Sequence, residues 1–127
     1  MSEQARATRV LRALHGFFNG FLDAYAEGCA PDGAALPYIT YQMVVPEPLE
    51  TAGCYARVWY RARGYGDIAG TLDAIGAAIG PGCRLEAQGG GAVWLYKAEG
   101  FIQFMPVQGD GDLKCAYLSM RIAANTD

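Results

Sequence analysis

Reactive chemistry is what this sequence has least of. It holds a single histidine, His15, and four cysteines (Cys29, Cys54, Cys83, Cys115), with no CxxC pair among them and no histidine nearby in sequence. That spacing excludes the common zinc and dithiol-redox arrangements. Cys54, Cys83 and Cys115 fall in or beside apolar strand patterns, where a reduced thiol behaves as a small hydrophobe, so free thiols are expected. The acids are scattered over loops and helices without a pair suited to hydrolysis. A Cys–His nucleophile would need an orienting third group, and none is evident for His15. Gly89-Gly90-Gly91 lacks the flanking residues of a phosphate loop, and Asp110-Gly111-Asp112 begins like a calcium loop that no later Glu completes; both read as turns. The expectation is a protein with no catalytic residues, no metal and no cofactor.

Excess charge is missing too. Ten basic against thirteen acidic residues leave a formal charge of −3, which argues against nucleic-acid binding through bulk electrostatics but leaves a local basic patch open. No run approaches the roughly 18 apolar residues of a membrane span. Ser2–Arg12 is polar and basic, unlike the start of a signal peptide, so the sequence predicts a cytoplasmic location and no membrane partner.

What is present organises itself around Cys54–Gly80. Cys54, Ala56, Val58, Tyr60 and Ala62 alternate with Tyr55, Arg57, Trp59 and Arg61, the period of a strand. Gly64-Tyr65-Gly66 breaks it and Asp67 stands where a helix N-cap belongs. Ile68, Leu72, Ile75 and Ile79 then recur at helical spacing within an arc of about 60°, and Gly80-Pro81-Gly82 ends the helix. One strand face and one helix seam are built to bury each other.

Upstream, Glu3–Glu27 reads as one long amphipathic helix whose apolar side (Val10, Leu11, Leu14, Phe17, Phe18, Phe21, Leu22, Tyr25) spans about 140°. Arg6, Arg9 and Arg12 lie opposite, as a solvated stripe or a partner contact. After a loop at Cys29–Leu36, Pro37–Val45 reads as a strand with Ile39, Tyr41, Met43 and Val45 on one side and Tyr38, Thr40 and Gln42 on the other. Pro46–Gly53, with Pro46, Glu47, Pro48 and Glu50, reads as a mobile hairpin tip. Downstream come short strands at Arg84–Gln88, Ala92–Lys97 and Phe101–Val107, the last two joined by a hairpin loop at Ala98-Glu99-Gly100, and a long strand at Leu113–Ala123. With 127 residues, the chain is one domain. The fold class is α+β: a two-layer, mostly antiparallel sheet of five to six strands, with a long N-terminal helix and a shorter central helix on one face.

Two helices on one face leave the other face wholly or partly bare. There Arg57, Arg61 and Arg63 alternate with Tyr55, Trp59 and Tyr65, the residue types enriched at interface hot spots. An ordinary solvated face, with Trp59 tucked under a loop, has the same sequence. So does a platform for single-stranded nucleic acid, although the acidic balance counts against it.

Leu36-Pro37-Tyr38-Ile39-Thr40-Tyr41, the strand ending Val58-Trp59-Tyr60, the short amphipathic helix, Gly91-Ala92-Val93-Trp94-Leu95 and Phe101-Ile102-Gln103-Phe104-Met105 together resemble the tail terminator (tail completion, head-tail joining) proteins of long-tailed bacteriophages and prophages. The likeness runs over residues 8–124, in order as well as in motif. The resemblance implies a non-catalytic α+β subunit without cofactor that forms a ring, usually six-fold, on the last ring of the tail tube. Its partners would be its own copies, the tail tube protein and a head-completion protein, first in host cytoplasm and then in the virion tail. DNA would pass through the lumen unread. On this reading Tyr55, Arg57, Trp59, Arg61, Arg63 and Tyr65, with Pro46, Glu47, Pro48 and Glu50 of the hairpin tip, contact neighbours. The alternative is a small-ligand-binding or enzymatic α+β domain with a pocket between helix and sheet.

Overall fold

A computed structural model describes residues 3–44, 52–87, 90–107 and 111–125. The elements are α1 (Glu3–Asn19), β1 (Ala24–Ala26), β2 (Tyr38–Val44), β3 (Ala52–Arg61), a 3-10 turn (Ala62–Gly64), α2 (Tyr65–Ile79), β4 (Cys83–Glu86), β5 (Ala92–Pro106) and β6 (Leu113–Asn125). Six strands form one sheet in the order β1-β2-β3-β6-β5-β4. Every neighbouring pair is antiparallel except β1 and β2. The α+β class, the mostly antiparallel sheet and the helices on one face all stand as the sequence predicts. Among the described residues no helix is long and apolar enough to cross a membrane.

The core lies between the helices and one sheet face. Val10, Leu14 and Phe18 of α1 and Ile68, Leu72, Ile75 and Ile79 of α2 are buried with Ile39, Tyr41, Cys54, Ala56, Val58, Leu95, Leu118, Met120 and Ile122 of the strands. Fully burying each large aliphatic or Phe side chain contributes about 1.5–3 kcal/mol, so the two helical seams supply much of what holds the layers together. β1 and β4 are the two margins of the sheet, yet α1 touches β1 and β2 on one side and β4 on the other. The sheet is curled around the helix.

Three local expectations are corrected. The first helix ends at Asn19 rather than Glu27. Gly20 starts the turn, Phe21 and Leu22 donate backbone N–H bonds to the Phe18 carbonyl, and Asn19 Oδ1 accepts from the Ala24 N–H at 3.2 Å. Ala24–Ala26 then pairs in parallel with Ile39–Tyr41. This sends Tyr25 to the sheet face opposite the helices, where its ring meets Tyr38. α2 opens at Tyr65 after the 3-10 turn, with Gly64 as an N-cap that offers no side chain. Asp67 sits in the first turn, where a carboxylate favours the positive end of the helix dipole. Finally, Ala98-Glu99-Gly100 is no hairpin: β5 is one strand with a bulge between Lys97 and Ile102, both paired to β6. Gly100, at φ 68°, supplies the left-handed residue that the bend requires.

The helix end at Gly80 is as expected, its N–H bonded to the Gly76 carbonyl at 2.9 Å. Gly82 permits a close approach to the sheet, since a Cβ there would lie 2.6 Å from the Tyr96 ring. Cys29, Cys54, Cys83 and Cys115 are free.

Candidate interaction face

Because side chains alternate across a strand, the residues of β3 that skip the core emerge on the sheet face away from the helices. Tyr55, Arg57, Trp59 and Arg61 do so. Register extends that face across the sheet, since directly opposed residues share a side. Trp59 stands between Tyr38 and Cys115, Arg57 between Thr40 and Tyr117, and Tyr55 between Gln42 and Ser119. Farther along, Tyr96 opposes Arg121 and Trp94 opposes Ala123.

Both tryptophans of the chain and five tyrosines (Tyr25, Tyr38, Tyr55, Tyr96, Tyr117) therefore line the open face. The phenylalanines serve the other side. Phe18 is buried, Phe17, Phe21 and Phe101 pack against the core, and Phe104 opposes the buried Ala116. Both tryptophans and five of the eight tyrosines thus face outward, whereas every phenylalanine, with Tyr41, Tyr60 and Tyr65, lies on the helix side. Tyr and Trp suit a surface that must be apolar when docked and wet when free.

The open face is pre-ordered. Trp59 Nε1 donates to Thr40 Oγ1 at 3.0 Å, and Thr40 is only 4% exposed although it points away from the helices. Tyr25, Tyr38 and Trp59 form a run of ring contacts with centroids 5.8 and 6.5 Å apart. Tyr55 stacks on Tyr117 at 5.7 Å, and Trp94 on Tyr96 at 6.5 Å. Arg57 reaches Glu27 at 2.8 Å and lies over the Tyr117 ring at 5.5 Å. Arg61 reaches Asp112 at 3.5 Å, Arg84 pairs with Glu86, and Arg121 lies over Tyr96 at 5.9 Å. Cys115 is buried on this outward side, beneath the neighbouring rings. Burial is the main cause that pushes its thiol up to about 11, against a lowering pull from Arg57. Tyr117 is likewise raised, chiefly by burial.

Of the residues singled out in the sequence, Tyr55, Arg57, Trp59 and Arg61 come together here. Arg63 and Tyr65 do not. The strand ends at Arg61, and the 3-10 turn carries Arg63 to a cleft and Tyr65 to the helix layer. Tyr65 meets Tyr60 and Phe104 there, at centroid distances of 6.5 and 5.9 Å. Pro46, Glu47, Pro48 and Glu50 lie outside the described residues, and so does the Arg6 side chain. Sequence reasoning missed Tyr25, Tyr96, Trp94, Tyr117 and Arg121 as members of this face. The alternation of each strand was readable, but the strand-to-strand register that assembles them was not.

Two clefts lie on the helix side. One, of about 320 Å³, is lined by Leu36, Pro37, Tyr60, Arg61, Arg63 and Ile68 among others. The other, of about 370 Å³, lies along Leu11, Arg12, His15 and Tyr41, where His15 Nδ1 is 3.0 Å from the Tyr41 hydroxyl. Burial raises the pKa of that hydroxyl first, with smaller contributions from Cys29 and Cys54. Among the described residues no group of three or more His, Cys, Asp or Glu side chains could hold a metal ion. No protein-family model and no curated protein sequence matches the chain.

Proposed function

We propose that this chain is a non-catalytic assembly subunit: a tail terminator of a long-tailed phage or prophage that forms a ring on the tail tube, six-fold as the resemblance implies, and presents the surface to which the filled head docks. The observation that carries the reading is the open sheet face, where tyrosine, tryptophan and arginine are ordered in advance over several strands. Side chains already held by in-chain contacts lose little freedom on docking, which favours a stable interface. On this reading Arg57, Trp59 and Arg61 contact neighbouring proteins of the tail, and the subunit passes from host cytoplasm to the virion tail. The test mixes the purified protein with tails that lack it and inspects them by negative-stain microscopy. Capped tubes of fixed length are expected. Tubes that stay open and keep growing would overturn the reading.

A small-ligand domain is the second reading, and the cleft beside Arg61 and Arg63 is what favours it. A tight thermal-shift hit that disappears in Arg63→Ala would support that reading over the first.

A further inference from the structure

The two lateral edges of the sheet are each half covered. β4 pairs with β5 only at Ala92–Leu95, and among the described residues no strand lies beyond β5 from Ile102 to Pro106. At the other margin β1 pairs with Ile39–Tyr41, and among the described residues no strand lies beyond Gln42–Val44. An uncovered edge presents backbone N–H and C=O groups to any passing strand, and soluble proteins blunt such edges with charge, proline or a bulge. Pro106 and the bulge before Ile102 bound the β5 stretch but leave Ile102–Met105 between them. Neither segment carries a charged residue: one reads Ile102-Gln103-Phe104-Met105 and the other Gln42-Met43-Val44. The large apolar side chains left most exposed gather at the same places. Val44 is 47% exposed, Phe104 53% and Met105 45%, and Tyr65, at 51%, is the residue packed on Phe104.

We infer that copies of this chain join edge to edge, the Ile102–Met105 edge of one β5 pairing with the Gln42–Val44 edge of the next copy's β2. Strand direction fits the join. β2, β3, β6 and β5 are antiparallel in succession, so β5 runs opposite to β2. Copies placed side by side in the same orientation therefore meet through antiparallel strands, the more stable pairing. The contact is head-to-tail, using two different surfaces of each copy, as a ring requires. It is also staggered. The free part of β2 lies at the end of the sheet where Gly53 opposes Arg121, and the free part of β5 lies at the other end, opposite Lys114–Leu118. Tilting the strands against the ring axis absorbs such a stagger, as in closed barrels. The second copy is favoured over an unrelated strand because both halves of the join are present on one chain, matched in direction and in apolar character. The open aromatic face is then left for other tail proteins.

This inference rests on the reading of the chain as a self-assembling subunit, and it is tested in the full-length protein with Cys29→Ser as background. Val44→Cys and Met105→Cys, which share the open face of the sheet, are introduced together and treated with a short bismaleimide, alongside a control carrying Asp73→Cys and Ala78→Cys on the exposed side of α2. The expected result is a ladder of multimers for the edge variant and monomer for the control. Mixing the two single edge variants should give the heterodimer well above either homodimer. Adding Gln103→Lys and Phe104→Lys to the edge variant should abolish the ladder while the circular dichroism spectrum stays unchanged. No ladder above the control, predominant homodimers, or a ladder that survives the lysines would each overturn the inference. The tail-capping assay is read separately. Capping without a ladder removes the edge join and leaves the functional reading standing; a ladder without capping does the reverse.

Discussion

The two faces of this sheet answer to different demands. The helix-covered face is filled by Phe, Ile, Leu and Val side chains that satisfy one another, and its polar atoms are few. The opposite face uses Tyr, Trp and Arg, and each is tied to a neighbour by a hydrogen bond, a ring contact or an ion pair. The comparison teaches that order does not require burial beneath another layer. On the proposed function it also separates two kinds of loss on mutation: collapse of the fold from one side, and loss of docking with the fold intact from the other.

The sharpest contrast should come from Phe18, which is fully buried. Phe18→Ala is expected to cost about 3–5 kcal/mol in urea unfolding, because it removes a large side chain and leaves a cavity. Trp59→Ala should cost less, about 1–3 kcal/mol, from the Thr40 hydroxyl left without its donor, and should abolish tail capping. Equal destabilisation by the two variants would erase the distinction between the faces.

Alkali probes the covered face through Cys54, whose thiol burial pushes up to about 12 from an ordinary 9.0. Above pH 9 the unfolded chain loses this proton while the folded chain keeps it, so stability falls as pH rises. The cost is about 1.4 kcal/mol for each pH unit between 9 and the folded value. Urea midpoints measured from pH 8 to pH 10 should therefore decline, and Cys54→Ala should make the decline shallower, the remainder coming from the similarly raised Cys115. The smallest effect belongs to the open face. Arg57→Ala breaks the Glu27 pair, whose side chains are 37% and 32% exposed. Stability should change by only about 0–1 kcal/mol, with any change shrinking in high salt. A loss of capping in this variant at unchanged stability would be the clearest sign that the face works by contact.

Much of the architecture was legible because two periods dominate the chain. The seam of Ile68, Leu72, Ile75 and Ile79 and the alternation of β3 each define a buried side without outside help. The errors arose where local pattern and long-range pairing part company. Phe21 and Leu22 continue the helical period of α1 because they face the same core, although the chain there is already turning toward β1. Gly100 resembles a hairpin turn, yet both flanks of the bulge pair with β6. The full extent of the aromatic face depends on Trp59 standing beside Tyr38 and Cys115, and Arg57 beside Tyr117. Neither adjacency is encoded within any single strand.

The contact of α1 with both margins of the sheet has a mechanical consequence. The helix lies inside the curl like a mandrel, with Val10, Leu14 and Phe18 buried between the two margins; a close-packed interior transmits a change in their bulk to the bend of the strands. That bend fixes the angle between the outward directions of the β2 and β5 edges. In a circle built margin to margin, this angle dictates how many members complete one turn. If copies join as proposed, trimming or enlarging the mandrel should alter the membership of the circle without touching a single residue at the joints.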